Sequence, residues 1–127
     1  MKTQKYILTT AAFLGMLTVI LGAFGAHGLK KIVDADAVAT YETGIRYQMY
    51  HVFALLFLGL SKIKPRQQKI ISVLFLIGIL FFSGSIYLLT FKSKFSVDIS
   101  FLGPITPVGG LFLIAGWAAL AYSYWKK

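Results

Sequence analysis

Three stretches of this chain run for about 20 residues without a Lys, Arg, Asp or Glu, at about residues 6–27, 70–91 and 107–125. Each is long enough to cross roughly 30 Å of hydrocarbon as an α-helix. A helix bonds its own backbone internally, which a segment surrounded by lipid requires. The composition agrees: 57% of the 127 residues are hydrophobic and 13% are charged. Soluble domains carry about 25% charged residues. A soluble globular domain, a disordered tail and a fibrous repeat are excluded.

A fourth span is expected at about 42–61, although it is compromised. Its uninterrupted apolar part runs only from Val52 to Leu60, and extending it upstream takes in His51, Gln48, Arg46 and Glu42. With Asp34 or Asp36 as N-cap, the helix would run from about residue 35 to Ser61, or roughly 40 Å at 1.5 Å per residue. Gly44 would permit a bend in it. The last span is expected to begin at Thr106 as N-cap, with Pro107 at the first helical position. The fold class is thus an all-α integral membrane protein. It is read as one four-helix transmembrane bundle over residues 1–127.

Four spans place both termini on one side. That side carries Lys2, Lys5, Lys62, Lys64, Arg66, Lys69, Lys126 and Lys127, with no acidic residue. The other side carries Lys30, Lys31, Arg46, Lys92 and Lys94 together with Asp34, Asp36, Glu42 and Asp98. The basic excess assigns the termini to the cytoplasm. It also makes anionic lipid the expected partner at that face. Tyr6, Tyr122, Tyr124 and Trp125 fall at that boundary, and Tyr41, Tyr47 and Tyr50 near the outer one. The net charge of +9 does not point to nucleic acid, because the basic residues lie between apolar runs and form no single patch. Lys2, Lys5 and the first apolar run resemble a signal peptide, but the run exceeds the roughly 7–15 residues of such a core, so it is read as a retained span.

Apolar helices in lipid associate through close backbone contact and interhelical hydrogen bonds. The expected packing motif is Gly22, Gly25, Gly28, Gly84, Gly109, Gly110 and Gly116, with Gly22 and Ala26 as a small-xxx-small pair. Small faces left over within the bundle could make a homo-oligomer. Between the third and fourth spans, Phe95, Val97, Ile99 and Phe101 alternate with Ser96, Asp98 and Ser100, which predicts an extended stretch with one apolar face.

The chemistry-bearing residues gather at the outer ends of the spans. His27, Glu42, Arg46, Tyr47, Gln48, His51 and Thr106 are the candidate polar pocket. Ionisable groups at membrane depth pair with one another or line a pathway. Glu42 and Arg46 have the spacing and order of a helical ion pair. Gly44, Tyr47, His51, Ala54 and Leu58 share one helical face, expected to turn inward. The cytoplasmic half is expected to hold no comparable polar group within the spans. Three readings compete for the cluster: a structural tie between helices, a path for a small solute or ion, and a haem- or quinone-linked redox site using His27 and His51. With no Cys and no placed carboxylate, a metal site is not expected. No catalytic triad or zinc-protease motif is present. Residues 22–28, GAFGAHG, mimic a nucleotide loop but end an apolar span and follow no strand.

GAFGAHGLK at 22–30, YQMYH at 47–51, SGSIYLL at 83–89, ITPVGG at 105–110 and GW at 116–117 resemble the uncharacterised bacterial membrane protein family called domain of unknown function 423. The resemblance runs in order along nearly the whole chain. It implies a four-helix protein of the bacterial cytoplasmic membrane, multi-pass, with both termini inside and no established activity, substrate or cofactor. The segment Lys92–Leu102 departs from the family pattern, so any role for it is not a family trait. The expected function is non-enzymatic: a small membrane protein, oligomeric, that supports envelope integrity or a partner complex. The alternative is a channel or transporter with an outward-facing polar pocket, and third comes a redox protein.

Overall fold

The computed structural model describes residues 2–126, which form four long helices: α1 (Lys2–Ala26), α2 (Ala35–Leu60), α3 (Pro65–Thr90) and α4 (Ile105–Trp125). α1, α3 and α4 lie in segments long and apolar enough to cross a membrane. Lys127 lies outside the described residues, as does Met1.

The starts and stops have local causes. α2 begins where the Asp34 carboxylate accepts the Ala37 N–H at 2.8 Å, satisfying one of the free amides of the first turn. It ends at Ser61, and a four-residue turn leads to Pro65 in the first turn of α3, where its missing N–H costs no hydrogen bond. α4 starts earlier than its sequence suggests. Pro104 stands at the N-cap, so Thr106 is already helical and does not cap; its hydroxyl pairs with that of Ser85 on α3.

Sequential helices run antiparallel, as their contacts count in opposite directions. Along α1 and α2, Tyr41 meets Gly25, Gln48 meets Thr18, Val52 faces Gly15 and Gly59 faces Leu8. Along α2 and α3, Ser83 meets Gly44 and Gln68 meets Leu58. Along α3 and α4, Phe82 meets Gly109, Gly78 meets Leu113 and Phe75 meets Gly116. α2 and α3 are the two most enclosed helices, each with ten buried positions, those of α2 spread from Val38 to Gly59. That enclosure is what lets a helix with so many polar residues sit among apolar neighbours.

Two apolar clusters form the core. One contains Ile7, Ala11, Leu55, Leu58, Ile71 and Phe75, with Leu113 and Leu120 from α4. The other gathers Leu29, Val38 and Tyr41 near the α1–α2 connection. Between them, at the level of Thr18, Gln48 and Ser83, lies a belt of buried polar side chains.

The packing seams are not quite the expected ones. A Cβ at Gly109 would collide with the Phe82 backbone nitrogen, so this glycine sets the closest approach of α4 to α3. Gly116 and Gly25 are equally required, lying 2.6 Å from the Phe75 ring and 2.7 Å from the Tyr41 ring by the same measure. Gly28, just past the end of α1, faces only Phe24, whose ring lies at 3.0 Å. Gly22, Gly84 and Gly110 carry no such constraint: a Cβ there would meet its nearest atom at 3.7, 3.9 and 3.8 Å. Three glycines outside the expected motif, Gly44, Gly59 and Gly78, do. Gly44 admits Ile86 and Tyr87 of α3, within 2.9 Å of its absent Cβ, and lies within an unbroken helix.

The connection from α3 to α4 is not an extended strand. Two short 3-10 turns, Lys92–Lys94 and Ser100–Leu102, fold it back. The Asp98 carboxylate accepts the Ser100 N–H at 2.9 Å. Together with the Ser100 hydroxyl, this bond holds its carboxyl below the usual Asp range. Phe95, Val97 and Phe101 remain exposed.

Candidate functional site

The seven candidate residues separate into a buried set and a surface set. Gln48 and His51 are 2% and 4% exposed. His27, Glu42 and Arg46 are exposed, Tyr47 is 40% exposed and Thr106 is half-buried. The residues therefore do not close around one shared cavity.

Gln48 is the centre of the first buried group. The Tyr87 hydroxyl of α3 donates to Gln48 Oε1 at 2.6 Å, and Gln48 Nε2 donates to Thr18 Oγ1 of α1 at 2.7 Å. The Thr18 hydroxyl donates onward to the Leu14 carbonyl at 2.6 Å. One amide thus joins three helices, and each polar atom on the path has a partner. Nearby, the Tyr41 hydroxyl donates to the Leu21 carbonyl at 2.6 Å and the Ser83 hydroxyl to the Gly44 carbonyl at 2.8 Å. Among the described residues, no buried side-chain nitrogen or oxygen lacks a partner.

His51 forms the second group. Its Nδ1 lies 2.6 Å from the Tyr47 carbonyl, which can only accept, so Nδ1 carries the proton. Nε2 is then a lone-pair acceptor, and the Trp117 indole N–H of α4 donates to it at 3.0 Å. The imidazole also packs edge-on against the Phe75 and Trp117 rings. Both ring nitrogens are engaged, which leaves no lone pair for an iron. His27 lies on the surface with Nδ1 3.1 Å from the Ala23 carbonyl. The geometry thus gives no pair of imidazoles facing one cofactor. Among the described residues, no group of three or more His, Asp or Glu could hold a metal ion.

At the surface, Arg46 donates to Thr43 Oγ1 at 3.2 Å rather than to Glu42. Glu42 and Arg46 instead border a shallow cleft of about 160 Å³ with Gly22, Gly25 and Tyr41. The exposed pair hydrates more readily than it pairs, in keeping with the small value of surface ion pairs.

Of the buried polar residues that sequence reasoning missed, Thr18 and Gln68 make bonds that hold the bundle together. Thr18 is a lone hydroxyl in an apolar run, and nothing in its spacing points to a partner 30 residues away. Gln68 lies at the opposite end of the bundle, in the first turn of α3 and just before the expected span at 70–91. It is 4% exposed, and its Nε2 donates to the Leu58 carbonyl at 3.0 Å and the Ser61 carbonyl at 3.2 Å. It thereby closes the free C-terminal carbonyls of α2 from the next helix. Its signal was available as a glutamine one turn after a Pro-marked helix start.

Comparison with known proteins places this architecture. Residues 21–110 match the family described as "Protein of unknown function (DUF423)". The chain is 42% identical to a UPF0382 membrane protein of Haemophilus influenzae, over 98% of this chain and 96% of that one. It is 37% identical to a UPF0382 membrane protein of Staphylococcus haemolyticus, over 97% and 98%. The identity to the UPF0382 inner membrane protein YgdD of Escherichia coli is also 37%, over 93% and 88%. No solved structure matches. The match to the family over most of the chain, and the end-to-end likeness to these relatives, make the chain a member of the DUF423 (UPF0382) family of multi-pass bacterial inner-membrane proteins.

Proposed function

We propose that the protein is a non-enzymatic scaffold of the inner membrane that crosses it four times and keeps both termini in the cytoplasm. It supports envelope integrity by associating with copies of itself or with a partner complex. The observation that carries this reading is the use made of the intramembrane polar groups. Gln48, His51, Thr18, Tyr87 and Trp117 all engage neighbouring helices. A solute path would need some of them free to exchange partners with a passing ligand.

Three further features support it. α2 packs antiparallel along the length of α1, from Tyr41 at Gly25 to Gly59 at Leu8, so it shares the depth of a membrane-crossing helix. On the outer surfaces of α1 and α4, Phe13, Met16, Val19, Leu111 and Ile114 are exposed, an apolar girdle suited to lipid or to further helices. The basic excess at the end bearing the termini supports the cytoplasmic assignment and an anionic-lipid partner there.

The test is reconstitution into vesicles. Proton, sodium and potassium flux should match protein-free vesicles, while Gln48→Ala and His51→Ala lower stability to unfolding by about 1–2 kcal/mol, the range of interhelical hydrogen bonds in membranes. Flux that disappears in either variant would establish the channel reading instead. Unchanged stability, oligomeric state and cellular phenotype in both variants would remove any role for the cluster.

A further inference from the structure

Two clefts meet at the end of the bundle where α3 begins and α4 ends. One, of about 190 Å³, is lined by Lys64, Gln67, Ser123 and Lys126. The other, of about 220 Å³, runs between the same two helices past Ile70, Ala119 and Tyr122. Gln67 and Ser123 line both, so a polar, basic mouth continues directly into an apolar groove. We propose that this joined cleft binds one anionic phospholipid, its phosphate between Lys64 and Lys126 and one acyl chain laid along the groove.

The chemistry fits at each position. Lys64 and Lys126 are exposed cations, and among the described residues no acidic side chain lines the mouth. Lys126 Nζ lies 5.7 Å from the centre of the Tyr122 ring, a cation–π contact that holds the ammonium where the basic mouth gives way to the groove. Gln67 offers an amide to the phosphate or glycerol oxygens. Trp125, 89% exposed beside them, sits where aromatic rings mark the headgroup boundary. Below that level Ile70 and Tyr122 are half-exposed, and the groove opens sideways to the bilayer, the geometry an acyl chain needs and a soluble anion does not. A zwitterionic lipid brings its own cation to the same phosphate and is repelled by the two lysines. The inference rests on α3 and α4 crossing the membrane and is independent of which face is cytoplasmic.

The experiment compares binding of phosphatidylglycerol and phosphatidylcholine of identical chains to the whole protein in a neutral detergent, by native mass spectrometry. The wild type should retain one phosphatidylglycerol in preference to phosphatidylcholine. Lys64→Gln with Lys126→Gln should weaken that retention by about thirtyfold, the scale expected for two basic residues at an anionic surface. Lys2→Gln with Lys5→Gln removes the same charge at the same end, away from the cleft, and should leave it unchanged. All four lysines are exposed, so folding is not at issue, and a monodisperse elution profile verifies it. Equal loss in both double variants, or no preference between the lipids, overturns the proposal. So does equal competition by glycerol phosphate, which would make the mouth a site for free phosphate. A scaffold reading that fails in the flux assay leaves this result untouched, because the two are measured on different preparations and different residues.

Discussion

At the scale of single residues, glycine in this bundle has two separable meanings. Gly109 faces backbone, which cannot step aside, whereas Gly84 faces only the end of Leu80. Gly109→Leu is therefore expected to destabilise by about 3 kcal/mol or more, the upper range for overpacking against an unyielding neighbour. Gly84→Leu should change stability by less than about 0.5 kcal/mol, the scatter of uncrowded surface changes. Unfolding in a detergent titration measures both, and equal effects would refute the seam assignment. The same distinction governs polar residues. Thr18, Gln48 and Tyr87 each bond across helices, while Glu42 and Arg46 do not meet one another. Glu42 and Arg46 had the more recognisable sequence pattern. Local spacing shows which side chains can meet on one helix; it is silent on what the next helix offers them.

At the scale of elements, each pair of sequential helices is joined by at least one specific hydrogen bond. Gln48 joins α2 to α1, Ser83 joins α3 to α2, Ser85 and Thr106 join α3 to α4, and Trp117 joins α4 to α2. In lipid such bonds take the place of hydrophobic drive between apolar surfaces. Gln68 does the same at the α2–α3 turn, where it reaches the carbonyls of Leu58 and Ser61. Gln68→Leu should cost about 1–3 kcal/mol, because buried acceptors lose a donor that the site gives water little room to replace. Faster amide exchange in the last turn of α2 would report the loss locally. Exchange unchanged from the wild type would show that the turn is held by Ile63 and Pro65 alone. The helix limits were partly readable: Asp34 capping α2 and the long reach of α2 follow from local chemistry, whereas α3 begins at Pro65, ahead of the expected span at 70–91. The start of α4 was not, since Pro104 could also precede a helix and Thr106 had a better partner in Ser85.

At the scale of the whole molecule, the charges and the clefts are unevenly placed. Among the described residues, seven of the basic residues lie at the end where α1 begins and α4 ends, and all four acids lie at the other. Because the chain has no cysteine, single cysteines report topology without background. Ser96→Cys should react with a membrane-impermeant maleimide added outside intact cells, and Thr3→Cys only after lysis. The reverse pattern would invert the orientation, and labelling of both from outside would break the even number of spans.

The sequence by itself determined what depends on local composition. Uncharged runs of membrane-crossing length, caps, a proline turn and the distribution of lysines establish a helical membrane protein, its approximate elements and its expected orientation. These follow from hydration and backbone chemistry, which act within a few residues. Only the tertiary structure decided which polar residues face each other. Thr18 and Gln48 are 30 positions apart, and His51 and Trp117 are 66 apart. Whether such groups bind a ligand or one another is settled by the rotation and depth at which the helices pack, and no local pattern encodes those. Packing tied Gln48, His51 and Thr106 to neighbouring helices and left His27, Glu42, Arg46 and Tyr47 at the surface.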